Sequence, residues 1–506
     1  MRTCGILFPV FSLPSRYGIG CFSEEAFAFI DFLQQAGQGC WQILPVGPTG
    51  YGDSPYQPVS AFAGNPYFIS PDELVKEGYL TREECDSRFW GRDAERTDYG
   101  ALYENRLELL RLGFARFPEK LQQDAALKKE WEAFRKKESW WLDDYAMYMA
   151  IKERSGQKAW EDWDEPLRTR DAAALSELKE SAADTLAFYG FLQFMFSRQW
   201  DAVRAYAADR NVRIIGDIPF YAAMDSADVW AHPEVFQMDE EQHALRVAGC
   251  PPDAFSPTGQ KWGNPVYDWK NLKKQKYAWW IRRIERSLEL YDVLRIDHFH
   301  GFESYYAIPA DGDTAENGEL CKGPGMDFFR ELKRQLGNVP VIAEDLGTVT
   351  EENRKLLEDT GFPGMKVLQY AFTSWDSIYL NHLHEKSCVV YTGTHDNTTA
   401  RAWIEEISDG ERDYVRRYIN SENTDYGRFV WDFIREAYRS VADLCIIPLQ
   451  DYLVKGKEAR INAPGTAEGN WQWRLQPGFL SEDLCRSIRA LSELYGRVPE
   501  EKPDHE

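Results

Sequence analysis

Eight short apolar runs, most of them rich in β-branched residues, recur along the chain and constrain its fold more than any other feature. They are Gly5–Val10, Trp41–Val46, Val212–Ile218, Val293–Ile296, Val339–Ala343, Met365–Ala371, Cys388–Thr392 and Cys445–Leu449. Near-continuous Val/Ile runs suit strands covered on both faces, as in a parallel sheet flanked by helices. Helical patterns lie between several of them. Ser23–Gln35 opens with a capping serine and two glutamates, then places Phe27, Ile30 and Leu33 on one face. Tyr277–Leu290 and Glu352–Asp359 read the same way. Eight strands alternating with helices predict an α/β fold, the (β/α)8 barrel.

Two intervals are too long for plain strand-to-helix connections, which take a few residues and one helix. The stretch between the second and third runs contains the helical, charged segments Tyr103–Phe117, Leu127–Lys137 and Asp184–Arg210. It predicts a large, mainly helical insertion over residues 51–210. A shorter excess at residues 232–271 follows the third run and holds the Pro/Gly-rich stretch CPPDAFSPTGQKWGNP. This second stretch is expected to be a loop insertion, ordered by Phe255 and Trp262. Residues 1–506 thus form one catalytic domain, a barrel enlarged by insertions.

Composition narrows the partners. Fifty-nine Lys and Arg against 82 Asp and Glu leave a formal charge of −23. That balance excludes nucleic acid, whose phosphates need a concentrated basic face, and argues against an anionic membrane. A neutral partner is indifferent to it, and sugars are neutral. Eighteen Trp, 26 Tyr and 28 Phe point the same way, although a core absorbs most aromatic rings. Nine scattered cysteines without a CxxC pair read as reduced thiols, not as a disulfide or zinc framework. The apolar stretch Ile6–Leu13 is interrupted by Pro9 and lacks a cleavage pattern, and nothing approaches the ~18–20 apolar residues of a membrane span. A soluble cytoplasmic protein is expected.

Chemistry concentrates at the ends of three runs. The fourth ends Val-Leu-Arg-Ile-Asp-His-Phe-His-Gly, residues 293–301, where a period of two puts Arg295 and Asp297 on the same side. A guanidinium beside a carboxylate keeps it ionised, as a nucleophile requires. The fifth ends Val-Ile-Ala-Glu-Asp-Leu-Gly, residues 341–347; Glu344 leaves an apolar strand, a setting that raises a carboxyl pKa and suits a general acid. The seventh ends Tyr-Thr-Gly-Thr-His-Asp-Asn, residues 391–397, with His395 and Asp396 at the same rim. Singly, a strand-end acid is more often a helix cap or the partner of an arginine. Three of them, with an Arg and a His interleaved, favour catalysis. Two such carboxyls ~5–5.5 Å apart would suit a retaining glycosidic reaction.

Long motifs then carry a resemblance. LPSRYGIG at 13–20, YGDSPYQ at 51–57, GDIPF at 216–220, GQKWGNP at 259–265, RIDHFHG at 295–301, IAEDLG at 342–347, TGTHDN at 392–397 and GNWQWR at 469–474 are similar to the 4-alpha-glucanotransferases of glycoside hydrolase family 77. These are the amylomaltases, or disproportionating enzymes, of the α-amylase clan. The resemblance covers essentially the whole chain. It implies Asp297 as nucleophile, Glu344 as general acid/base and Asp396 as the stabiliser of the transition state. It further implies Ser54, Tyr56, Asp217, Asp253, Gln260, Trp262, Arg295, His395 and Asn470 as sugar contacts. Tyr56 would stack on the reacting ring, and Gln260 and Trp262 would form a mobile, substrate-covering loop near 253–265 over the acceptor. Asn470 is the weakest of these, because Trp471 and Trp473 beside it fit a core equally well.

One departure stands out: His300 occupies the place of the arginine in the familiar RIDHFRG form. The resulting His298-x-His300 pair lacks a third ligand, so no metal is implied, and no organic cofactor is needed. The implied partners are α-1,4-glucans and maltooligosaccharides, with the chain a monomer or small homo-oligomer. A hydrolase of the same clan and a non-catalytic glucan-binding protein are the competing readings.

Overall fold

Strand and helix periodicities separate cleanly along this chain, and the eight apolar runs each meet one strand of a single parallel sheet. A computed structural model describes residues 2–252, 257–347 and 350–500. The strands are β1 (Thr3–Leu7), β2 (Cys40–Gln42), β3 (Arg213–Ile218), β4 (Val293–Ile296), β5 (Val341–Ala343), β6 (Gly364–Val367), β7 (Cys388–Tyr391) and β8 (Leu444–Pro448). Hydrogen-bonded neighbours follow the order β6-β7-β8-β1-β2-β3-β4-β5, all parallel. The sheet closes where Ala343 N donates to Pro363 O at 2.9 Å, giving the expected (β/α)8 barrel.

The period of two then sorts every strand. Leu7, Cys40, Ile215, Ile342, Met365, Val389 and Ile446 pack together inside the barrel. Their neighbours Ile6, Trp41, Ile214 and Leu294 face outward into the core under the helices. Two residues beyond Ile215, Val293 and Ile342 on the inward side come Asp217, Arg295 and Glu344. Polar groups therefore begin at the C-terminal mouth, where barrels of this kind carry their chemistry. Gly216 makes room for this placement from behind, because a Cβ there would lie 2.1 Å from the ring of the buried Tyr291.

The interval between β2 and β3 holds three long helices, Tyr99–Gln123, Ala125–Arg154 and Ala183–Asp209. Asp124 separates the first two and caps the second, its Oδ1 accepting from Ala126 N and Leu127 N at 2.9 and 3.0 Å. Phe117, Trp131, Phe191 and Phe194 interlock between the three, with Phe117–Phe191 centroids 4.9 Å apart and Trp131–Phe194 5.3 Å apart. Two buried glutamines of the third helix pair with the preceding loop as a strand would. Gln193 accepts from Gly64 N at 2.7 Å and donates to Gly64 O at 2.9 Å, and Gln199 accepts from Ser70 N at 2.6 Å. The segment carrying Tyr56 is thereby held at its far end.

Some details depart from the patterning. Helix Glu24–Gln35 starts after Ser23 as expected, but the serine makes no cap to a backbone N–H; its hydroxyl donates to Glu25 instead. The insertion after β3 carries two strands, Arg246–Cys250 and Gln260–Pro265. They join Ser304–Pro309 and Glu319–Lys322 in a four-stranded antiparallel sheet, with Gln260–Pro265 at one edge. These strands are short, interrupted by Gly and Pro and without clean alternation, so their pairing is a tertiary matter. Gln260 and Trp262 thus lie on an edge strand and not in a loop. Asp253 and Phe255 lie outside the described residues. Among the described residues no helix is long and apolar enough to cross a membrane.

The β5–β6 seam has no ladder of its own. Besides the Ala343–Pro363 bond, the Asp345 carboxylate takes the place of a strand by accepting from Met365 N at 2.6 Å. Gly364 permits this approach, since a Cβ there would sit 2.5 Å from Asp345 Oδ2. Asp345→Ala strands the buried Met365 amide and is expected to cost about 1–3 kcal/mol. Urea unfolding monitored by circular dichroism checks this, with Asp345→Asn, which keeps an acceptor, expected to lose less.

Candidate active site

Register between β3 and β4 brings the first charged groups together. Asp217 is paired with Arg295 across the ladder, and the guanidinium Nη1 donates to Asp217 Oδ2 at 2.6 Å and to Asp297 Oδ1 at 3.0 Å. The Arg295 and Asp217 side chains are 3% and 0% exposed, whereas Asp297 is 28% exposed and reaches the mouth. The flanking carboxylates hold Arg295 well above its already high range, so it stays charged. Tyr56 completes the cluster from the β2 side, its hydroxyl donating to Asp217 Oδ2 at 2.8 Å.

Glu344 emerges from β5 next to this charge. Its Oε2 accepts from His298 N at 2.7 Å and its Oε1 from Leu346 N at 2.9 Å. Burial pushes the Glu344 carboxyl up to about 8, against the pull of Arg295 and with the help of the Asp297 charge. The His298 amide can reach it because His298 is left-handed, at φ 47° and ψ 48°. Phe220, Tyr221 and Trp262 pack around the His298 ring, with centroids 5.9, 6.2 and 5.4 Å away, and this desolvation pushes the imidazole down to about 4. The ring is neutral.

The β7 end supplies the opposite wall. His395 Nε2 lies 3.4 Å from Asp396 Oδ2, and the His395 ring stacks on Tyr56 with centroids 5.1 Å apart at 12°. One face of Tyr56 is therefore taken, and Trp471 closes in at 5.8 Å. Asp396 Oδ1 accepts from Asn462 Nδ2 at 2.6 Å, while Arg460 Nη2 donates to the Asp396 carbonyl at 2.8 Å. Arg460 and Asn462 were not singled out in the sequence. Their R-x-N spacing before a Pro/Gly-rich loop is the only hint, and it names no partner.

The remaining expected residues separate into supports and outliers. Ser54 Oγ accepts from Tyr56 N at 3.2 Å and so shapes the turn that presents the tyrosine. Gln260, exposed on the edge strand, accepts from Trp262 Nε1 at 3.2 Å. Trp262 itself meets the His298 ring edge-on. Asn470 has its amide consumed within its own loop: Oδ1 accepts from Ala463 N at 2.9 Å and Nδ2 donates to Thr466 O at 2.9 Å. It steadies the segment that carries Trp471 and leaves no free donor for a sugar. His300 is buried with Asp345 and Asn353 as neighbours, and burial holds its ring below the ordinary range.

Tyr56, Asp217, Arg295, Asp297, Glu344, His395 and Asp396 thus form one contiguous constellation at the mouth of a (β/α)8 barrel. An acid held by arginine beside a carboxyl kept protonated by burial is the equipment of enzymes that act on glycosidic bonds. The chain belongs to the 4-alpha-glucanotransferase family, a transglycosylating class, whose family model matches residues 8–481. It is 44% identical over 489 residues to a 4-alpha-glucanotransferase of Clostridium butyricum, covering 96% of this chain and 99% of that one. The Thermus thermophilus 4-alpha-glucanotransferase is 45% identical over 507 residues, covering 98% and 99%. The amylomaltase of Streptococcus agalactiae, solved in complex with acarbose, superposes with a TM-score of 0.95 at 37% identity, covering 99% of this chain and all of that one.

The raised carboxyl has a thermodynamic signature. An unfolded glutamate loses its proton above about 4.5, whereas folded Glu344 keeps it to about 8. The folded state therefore binds more protons between these values, and stability falls as pH rises through that window. Glu344→Gln removes the effect. Its melting temperature is expected to exceed that of the native chain by a margin that grows from pH 4.5 to 8, read by calorimetry across that range. A margin independent of pH would contradict the assignment.

Proposed function

We infer that this chain moves α-1,4-glucan segments from a donor maltooligosaccharide or amylose to the 4-hydroxyl of an acceptor glucan or glucose, by a retaining double displacement. The observation that carries this reading is the contrast between the two neighbouring carboxyls: Asp297 gripped by Arg295, Glu344 protonated by its burial. In the first step Glu344 gives its proton to the glycosidic oxygen as Asp297 Oδ attacks the anomeric carbon. The C–O bond to the leaving sugar breaks and a glucosyl ester on Asp297 forms. In the second step the Glu344 carboxylate takes the proton of an acceptor 4-hydroxyl, whose oxygen displaces Asp297 and re-forms the α-linkage.

Charge develops on the sugar ring in the transition state of each step. In this reading Asp396 grips hydroxyls of the reacting ring as it flattens, supported by its bond from Asn462 and its place beside His395. Asp217 receives hydrogen bonds from both Arg295 and Tyr56 and so keeps the nucleophile's partner and the aromatic wall in one frame. Water competes with sugar at the second step. The Trp262 ring against His298 narrows the approach to the acid/base and favours an acceptor that can fill the space. Neutral glucans suit a chain of charge −23, which does not repel them.

Incubation with maltotriose tests the reading. Transfer yields glucose together with maltopentaose and longer products, whereas glucose and maltose without elongation indicate hydrolysis. Asp297→Asn is expected to lower the rate by about 10⁴-fold or more. The rate of the native chain should fall at alkaline pH with a midpoint near the value of about 8 carried by Glu344, since the protonated acid is the active form. Full transfer by Asp297→Asn would overturn the nucleophile assignment.

A further inference from the structure

The strand ends that feed the mouth include one, that of β8, whose polar residues have no part in the constellation described above. Gln450 and Asp451 lie there, in the short helix Leu449–Tyr452, and both are buried. Asp451 spends both carboxylate oxygens on the neighbouring strand connection. Its Oδ2 accepts from Thr392 Oγ1 at 2.6 Å and its Oδ1 from Ala400 N at 2.7 Å. Thr392 is the first residue after β7, and Ala400 opens helix Ala400–Glu406. One carboxylate therefore pins both ends of the segment 392–400, and His395 and Asp396 lie between the pins. Gln450 Nε2 donates to Ala459 O at 3.2 Å, next to Arg460 at the start of the segment that also carries Asn462.

The two segments meet at Asp396. Besides the side-chain bond from Asn462 and the Arg460 bond to the Asp396 carbonyl, Asn462 N donates to His395 O at 3.0 Å. Inside the loop, Asn397 Oδ1 accepts from Thr394 N and from Thr394 Oγ1, each at 2.9 Å, and Gln369 Nε2 donates to Thr398 O at 2.9 Å. These bonds shape the middle of the loop, whereas Asp451 ties its two ends to one point and so removes the freedom of an open connection. Burial pushes the Asp451 carboxyl up to about 6, with Thr392 and Ala400 pulling it down. Above that value it is charged, and both ties are charge-assisted.

A carboxylate that meets charge only in the transition state has to be in place before the reaction begins, and a misplacement of about 1 Å can cost about 10²-fold in rate. We propose that Asp451 is a positioning residue for the reaction: through the segment 392–400 it holds the Asp396 carboxylate where charge develops on the sugar ring. The proposal rests on the reading of Asp396 as the group that meets that charge. A tie that served stability alone would act independently of Asp396, and the two roles are separable by experiment.

Initial rates of glucose release from maltotriose test it. Asp451→Ala is expected to lower kcat by about 10²-fold while KM stays within about threefold. Asp451→Asn keeps an acceptor for Ala400 and should recover at least about fivefold of that loss. Thr392→Val leaves the carboxylate in place and removes one hydroxyl, with an expected loss in kcat of about 10-fold. It carries the test if Asp451→Ala fails to fold, which thermal melts report. The deciding comparison adds each substitution to Asp396→Asn. Residues that act as a unit are not additive, so in that background the further loss should stay under about twofold. Full multiplication of the two losses overturns the proposal, as does a folded Thr392→Val protein with native kcat. A native chain that releases glucose without elongating maltotriose defeats the transfer reading instead, and the comparison still decides the role of Asp451 because it is read on released glucose alone.

Discussion

The Arg295 guanidinium, almost wholly withdrawn from water, is shared by the carboxylates of Asp217 and Asp297. A buried charge of this kind is tolerated only with its partners in place, and removing one partner typically costs about 3–5 kcal/mol. That requirement reaches outward through the fold. It fixes the β3–β4 register, because a slip of one residue would turn Asp217 or Arg295 to the outer face. It draws Tyr56 inward to the same Asp217 oxygen that accepts from the guanidinium, and Tyr56 in turn sets the plane on which His395 lies. The charge that steadies Asp297 also pulls against the burial of Glu344, and burial wins, holding that carboxyl up at about 8.

Around this centre the insertions act as supports. The long helices between β2 and β3 grip the Tyr56 segment through Gln193 and Gln199, whose amides satisfy backbone groups that a surface loop would leave to water. The antiparallel sheet beside the mouth delivers Trp262 to the ring of His298. Enclosure of that ring keeps His298 in its left-handed conformation and its amide on Glu344. Elements far apart in sequence thus converge on the geometry of one carboxyl.

Hydrophobic patterning revealed the eight barrel strands because buried parallel strands are apolar on both faces and stand out from the charged helices between them. The same period of two put Arg295 and Asp297 on one side of their strand, whereas Glu344 was legible only as an acid leaving an apolar strand and Asp217 only through the resemblance. The antiparallel sheet was illegible for the opposite reason: Arg246–Cys250 and Gln260–Pro265 carry no alternation, and only their mutual pairing makes them strands. Arg460 and Asn462 escaped because their partner, Asp396, lies more than sixty residues away and nothing local announces it. Asn470 carries a motif-borne expectation of sugar contact, but its hydrogen bonds close within its own loop.

The lacing of the barrel has a further consequence. Seven ladders join the strands, yet between β5 and β6 the cylinder is buttoned by one backbone bond and one carboxylate. The button, Asp345, is the residue next to Glu344. Mechanical closure of the cylinder and placement of the raised Glu344 carboxyl are therefore adjacent links of the same backbone. A designer who tightens or re-laces this seam to gain heat resistance will move that carboxyl with it, so the strength of the cylinder and the shape of its mouth cannot be tuned independently at this point of the chain.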